Sequence, residues 1–363
     1  MFIKPILKWV GGKSQLLSSL VNYIPEEIEN YHEPFVGGGS VLLCILQLQK
    51  EGKIKINKNI YAYDINAELI TMYKIIQQYP NELFVELNQI ISEFNTLEKA
   101  EKSTKRKNIA KLVNDENKTT NKEYYYYWIR NKYNMKIREV LVDSKEESGE
   151  ILKNANLILL SALFIFLNKT CFRGVYRVNK TEFNVPYGNY ANPEIINLEH
   201  LLLVSDLMKD VIFTQSNYEQ SFLNFSDGDF VYADPPYFPE KITSFVNYSK
   251  DGFTLNDHIK LFELCGGIEK YESSATGCKD IFDKDIKDKD IKDKDIEGIL
   301  LSKMENLKIC ANNYKIMISN SNTEFVKKYF ENDLFDIIEI KARRSIHSKK
   351  PDSTTLEVFI IKK

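Results

Sequence analysis

Short apolar runs rich in Val, Ile and Tyr recur along the chain and stop at small or acidic residues: Tyr31–Val36, Ile60–Asp64, Val211–Gln215, Phe230–Ala233, Lys315–Ser319 and Phe335–Ile340. Unbroken apolarity over four to six residues predicts strands buried on both faces. Helical spacing follows several of them, over Ser40–Leu48, Ala67–Gln78 and Leu255–Leu264. Strand-helix alternation of this kind predicts an α/β protein with a mostly parallel sheet covered on both sides. No helical stretch separates Phe335–Ile340 from Thr355–Ile361, so this pair is expected as an antiparallel hairpin at a sheet edge.

Between about Asn81 and Val204 the strand signal gives way to long helical patterns over Glu82–Phe94, Tyr124–Val140 and Leu152–Leu167. The chain therefore divides into a sheet domain made of residues 1–80 and 205–363, and a mainly helical domain of residues 81–204 inserted into it. Within the sheet domain, about 273–297, near-exact Asp-Lys-Asp-Ile repeats carry almost no core-forming side chains. That composition predicts a solvated insertion outside the chemistry.

Composition narrows the partners. The 363 residues are 43% hydrophobic with a formal net charge of −2, which suits a soluble globular protein without a global field for a polyanion. A nucleic-acid surface would have to be local, and Lys99–Arg138 is rich in Lys and Arg, although solvated helix faces share that pattern. Five scattered cysteines without a Cys-x-x-Cys pair argue against a disulfide framework and a zinc site, and fit a reducing compartment. Met1–Val10 lacks a signal-peptide core, and the apolar run Ala155–Leu167 is too short to span a bilayer. A cytoplasmic protein with a buried helix at that run is expected.

Three segments carry candidate chemistry. Phe35-Val36-Gly37-Gly38-Gly39-Ser40 is a strand end running into an apolar helix, where backbone can approach a ligand closely. The next strand ends at Asp64, about the distance at which nucleoside-binding folds put a carboxylate on ribose hydroxyls; the plain alternative is a helix N-cap. Gly11-Gly12-Lys13-Ser14 ends like a phosphate loop, but Leu7 stands where its first glycine belongs, so no nucleoside triphosphate site is expected. Trp9 beside Lys13 suits a ligand with an aromatic or cationic part and a carboxylate, and ordinary packing is the alternative. In Asp234-Pro235-Pro236-Tyr237 a buried strand runs into two rigid prolines. The Asp234 carboxylate and the Pro235 carbonyl are then two acceptors for one amino group, with Tyr237 a face for a planar base.

Together with Lys8–Lys13 and Asn168-Lys169-Thr170-Cys171-Phe172-Arg173-Gly174-Val175-Tyr176-Arg177-Val178-Asn179, these motifs resemble the Dam-type (D12 class, alpha group) adenine-N6 DNA methyltransferases, in the family's order and over nearly the whole chain. The resemblance implies a Rossmann-like class I methyltransferase fold with an inserted target-recognition domain. It implies that Trp9, Lys13, Phe35, Gly37, Gly39, Asp64 and Asp234 surround S-adenosyl-L-methionine, and that Asp234, Pro235, Pro236 and Tyr237 are catalytic. It also implies that Phe172, Arg173, Val175, Arg177 and Asn179 read double-stranded DNA at a short, palindromic, GATC-like site, with Arg177 suited to a guanine edge. Arg173 departs from the family pattern, since GATC-reading members usually carry Asn there.

The implied reaction moves a methyl group to N6 of an adenine rotated out of the duplex. Cytosine-N4 methylation would use the same acceptors and is the nearest chemical alternative; a catalytically inactive DNA-binding module is the alternative from another class. A lone modifier, the partner of a cognate restriction endonuclease and a viral enzyme would share this sequence pattern, and oligomeric state is open.

Overall fold

The computed structural model describes residues 1–99, 109–143, 150–179, 182–239, 253–266, 313–343 and 354–363. In chain order the strands that position the site are β1 (Tyr31–Glu33), β2 (Ile60–Asp64), β3 (Val211–Gln215), β4 (Phe230–Ala233), β5 (Lys315–Ser321), β6 (Phe335–Arg343) and β7 (Thr354–Lys362). The longer helices among the described residues are α1 (Ser40–Lys50), α2 (Ala67–Gln78), α3 (Pro80–Thr96), α4 (Lys122–Asp143), α5 (Glu150–Thr170), α6 (Leu198–Met208), α7 (Leu255–Leu264) and α8 (Glu324–Phe330). Two compact units emerge: Met1–Glu26, Val36–Lys55 and Ile60–Gln215 form the first, and Glu27–Phe35, Ile56–Asn59 and Ser216–Lys363 the second.

In the first unit β2 runs parallel to β3, with Ile60 opposite Val211 and Asp64 opposite Gln215. Helix α1 is apolar nearly all round and buries Val41 through Leu46, so it is a core helix rather than a surface one. Helix α2 starts where Asn66 accepts the Leu69 N–H at 2.8 Å, an N-cap that satisfies one of the orphan donors of the first turn. The long helices α3, α4 and α5 confirm the helical stretch read from the sequence. Ala162 through Leu167 of α5 are buried, and Phe166 meets Phe94 of α3 edge-on at 5.2 Å. The same stretch also holds a two-residue ribbon, Val178–Asn179 against Glu182–Phe183, that the pattern did not predict.

In the second unit β1 is parallel to β4 and β4 to β5, while β7 pairs antiparallel with both β5 and β6. The expected C-terminal hairpin is therefore present, and parallel pairing elsewhere gives the expected α/β fold. All four residues of β4 are buried, which is why that strand reads as an unbroken apolar run. Helix α7 begins with a reciprocal capping box between Thr254 and Asp257, and its Phe262 packs on Tyr329 and Phe330 of α8 at 5.3 and 5.1 Å. The repeat segment 273–297 lies outside the described residues. No helix among the described residues is long and apolar enough to cross a membrane.

Candidate active site and DNA-reading surface

The first unit gathers five of the candidate residues around the glycine turn. Asp64 ends β2, and its two carboxylate oxygens accept the N–H groups of Gly37 at 3.0 Å and Asn66 at 2.9 Å. The cap of α2 is Asn66, so Asp64 is not the helix cap that its position allowed. Burial raises the Asp64 pKa, and the backbone N–H groups of Asn66, Gly37 and Ile65 work against that rise. Tyr73 of α2 donates its hydroxyl to the Gly37 carbonyl at 2.8 Å. Gly39 sits at φ +73°, and a Cβ there would fall 2.8 Å from the Tyr73 hydroxyl, so only glycine fits this turn without displacement.

Lys13 is only 4% exposed, which excludes the solvated lysine that its type suggests. Its N–H donates to Ser40 Oγ at 3.0 Å and its ammonium to the Gly11 carbonyl at 2.6 Å. Trp9 is half-buried, stacks on Tyr176 at 5.5 Å and meets Phe164 edge-on at 6.3 Å. A Cβ on Gly38 would lie 2.8 Å from Trp9 Cβ, so the glycine turn and Trp9 are in contact. Tyr176, which the sequence did not single out, also meets Phe164 edge-on at 5.7 Å, so the segment after α5 packs on the helix before it.

The segment Phe172–Asn179 also belongs to the first unit. Phe172 is 47% exposed, which rules out a core role, and the Arg173 guanidinium lies over its ring at 5.1 Å. Arg173 adopts a left-handed backbone at φ 61°, and its N–H donates to the Tyr190 hydroxyl at 2.7 Å. Arg177 is exposed and donates through Nε to Asn184 Oδ1 at 2.7 Å, which orients its guanidinium. Val178 and Asn179 are exposed on the ribbon, and Val175 is half-buried. Buried Asn168 anchors the segment, accepting the Lys8 N–H at 2.9 Å and donating to the Lys8 carbonyl at 2.8 Å. Asn168 was quoted in the motif without a role, and its signal was a polar residue ending an apolar helix.

The second unit holds the remaining candidates. Asp234 and Tyr237 are half-buried just past β4, Pro235 is buried and Pro236 is exposed. Tyr237 donates its hydroxyl to Glu357 Oε2 at 2.6 Å, and Phe238 N–H donates to Asn320 Oδ1 at 3.0 Å. Burial, with the Asp234 and Glu357 carboxylates, drives the Tyr237 hydroxyl pKa well above the usual phenol range. Glu33, at the end of β1, is buried and accepts the Tyr31 hydroxyl at 2.7 Å. Burial lifts its pKa well above the usual carboxylate range, the Tyr31 hydrogen bond opposes this, and the Asp234 charge adds to it. Phe35 stacks on Tyr218 at 5.6 Å and meets Phe253 edge-on at 6.1 Å.

Mostly parallel pairing, a glycine turn at the N-terminus of a buried helix and an acid-Pro-Pro-aromatic strand end define a Rossmann-like class I methyltransferase. A family model described as D12 class N6 adenine-specific DNA methyltransferase matches residues 9–292, and the chain belongs to that family. It transfers a methyl group to N6 of adenine in DNA. The chain is 37% identical over 277 residues to type II methyltransferase M.MjaIII of Methanocaldococcus jannaschii, covering 74% of this chain and 82% of the relative. It is 30% identical over 263 residues to type II methyltransferase M1.LlaDCHI of Lactococcus lactis subsp. cremoris, covering 71% and 75%. With the DNA adenine methylase of Escherichia coli K12 it shares 28% over 268 residues, covering 73% and 76%.

Proposed function

We propose that the methyl donor is S-adenosyl-L-methionine and that the two units divide the roles. The residues of the first unit fit such a donor. Gly39 leaves the turn without a side chain at the N-terminus of α1, where backbone N–H groups favour electron-rich ligand atoms. Asp64, held by Gly37 and Asn66, offers an acceptor for ribose hydroxyls; Trp9 offers an aromatic surface; the Lys13 ammonium can pair with a carboxylate. When bound, the donor supplies an electrophilic methyl on a sulfonium centre.

The second unit acts on the base. Asp234 and the Pro235 carbonyl accept the two N6 hydrogens, drawing the nitrogen lone pair out of conjugation with the ring. Tyr237 stacks on the extruded adenine and offsets an unstacking cost of a few kcal/mol. Burial raises the Glu33 pKa, which favours its uncharged form and limits a second charge beside Asp234. Phe35, stacked on Tyr218, offers a further aromatic face to the donor in this proposal. Positioning and a preorganised polar site supply the rate enhancement. The observation that carries this reading is the Asp234–Tyr237 segment at the end of a fully buried strand, with its aromatic ring tethered at the hydroxyl.

Residues 81–204 form the target-recognition domain in this proposal, and Phe172, Arg173, Val175, Arg177 and Asn179 read a short palindromic duplex site related to GATC. Exposed Phe172 and tethered Arg177 support that role. Relatives that bear type II methyltransferase names favour a cognate restriction endonuclease as partner. Ultraviolet crosslinking of labelled S-adenosylmethionine tests the donor assignment. Wild type should take up label, and Trp9→Ala and Asp64→Ala should lose most of it. Equal labelling of all three would remove these residues from the donor site.

A further inference from the structure

Tyr237 is held from the C-terminal strand. Its hydroxyl donates to Glu357 Oε2 at 2.6 Å across 120 residues of sequence. Glu357 lies in β7 opposite Ser321 of β5. Ser321 donates through Oγ to the Phe238 carbonyl at 2.6 Å, and Asn320 Oδ1 takes the Phe238 N–H at 3.0 Å. The residue after Tyr237 is thus fixed at both backbone groups by β5, and the far end of the Tyr237 ring is fixed by β7. Because the hydroxyl oxygen lies on the long axis of the ring, these contacts fix where that axis points.

As the N6–methyl bond forms, the sulfonium S–methyl bond breaks and a neutral thioether leaves, and positive charge rests on N6 and the purine ring until N6 gives up a proton to solvent. A phenol that donates to a carboxylate has a more electron-rich face, and such a face attracts a developing cation stacked on it. Burial and the neighbouring carboxylates keep the proton on the Tyr237 oxygen, so the hydroxyl remains a donor.

We propose that Glu357 is a positioning residue for adenine methylation, which accepts the Tyr237 hydroxyl hydrogen, holds the long axis of the stacking ring in place and enriches its face as charge develops on the base. This rests on the reading of Tyr237 as the platform for the extruded adenine.

The test uses the full chain and labelled methyl transfer to a duplex carrying the methylated site found by sequencing, with kcat and KM measured separately. Glu357→Ala and Tyr237→Phe should each lower kcat about tenfold, and the double variant should lose no more than either alone, since both break one interaction. Glu357→Gln keeps an acceptor without the charge and should fall between wild type and Glu357→Ala. Affinity for S-adenosylmethionine should stay within about twofold in all four. Additive losses, or wild-type kcat in Glu357→Ala or Tyr237→Phe, would overturn the proposal. If Glu357→Ala fails to fold, Glu357→Gln and Tyr237→Phe decide it by the same criteria, because both keep the side-chain volume. Tyr237→Ala separates this proposal from the reading beneath it: full activity in that variant removes the stacking role itself, whereas loss there with an unaffected Tyr237→Phe removes only Glu357.

Discussion

The Asp64 carboxylate accepts the Gly37 N–H at 3.0 Å, linking the end of one strand to the glycine turn that follows another. One side chain therefore both shapes the turn and offers an acceptor at its mouth. A hydrogen bond to a charged group contributes about 1.5 to 3 kcal/mol. Asp64→Ala should weaken S-adenosylmethionine binding by about tenfold or more in titration calorimetry, and Asp64→Asn, which keeps one acceptor for Gly37, should lose less. Equal affinity in both variants and wild type would remove Asp64 from the donor site.

Gly39 and Gly52 make an internal comparison. Both have positive φ, at +73° and +68°, but a Cβ on Gly39 meets the Tyr73 hydroxyl at 2.8 Å and one on Gly52 meets nothing within 4 Å. Gly52→Ala should cost only left-handed strain, about 1 to 2 kcal/mol. Gly39→Ala should cost more in denaturant unfolding, and it alone should also reduce donor affinity. Equal costs and equal affinities would refute the tight packing of the turn.

Much of this was legible in the sequence, because local signals and tertiary structure agree there. Helices Ala67–Gln78 and Leu255–Leu264 match their sequence-read bounds; Asn66 and Thr254 cap their starts and an apolar face runs along each. The strand ends at Asp64 and Asp234 were readable because acids stop apolar runs. The ribbon Val178–Asn179 with Glu182–Phe183 was not, since two-residue strands carry no period. The burial of Lys13 was not legible, because burial of a charge depends on the packing around it. The partners Tyr176 of Trp9 and Glu357 of Tyr237 come from distant parts of the chain, and no local pattern announces them.

Glu33 gives a pH signature. Its folded pKa is raised, so the native state holds the proton more tightly than the unfolded chain. Its contribution is complete below the unfolded carboxylate range, near pH 4.5, and is lost as pH rises toward the folded value. Glu33→Gln keeps an acceptor for the Tyr31 hydroxyl and removes the titration. The variant should melt higher than wild type at pH 8, by about 2 °C or more for each kcal/mol recovered, and should gain less at pH 4. The same gain at both values would place the effect elsewhere.

Arg177 is exposed and oriented by Asn184 Oδ1 at 2.7 Å, an arrangement suited to a base edge rather than to a core contact. Arg177→Ala should relax discrimination at one base pair by about 1 to 3 kcal/mol, while the salt slope of DNA binding changes by about one unit or less. Filter binding to duplexes differing at single positions measures both. Uniform weakening across all duplexes would make Arg177 a phosphate contact.

The most direct test of the account is transfer of labelled methyl from S-adenosylmethionine to unmethylated genomic DNA by wild type and Asp234→Ala, followed by nucleoside analysis and modification-sensitive sequencing. The account predicts N6-methyladenine confined to one short motif with wild type and no transfer with Asp234→Ala, whose DNA affinity stays within about tenfold because phosphate contacts dominate binding. N4-methylcytosine as the product, or N6-methyladenine from Asp234→Ala, would contradict it.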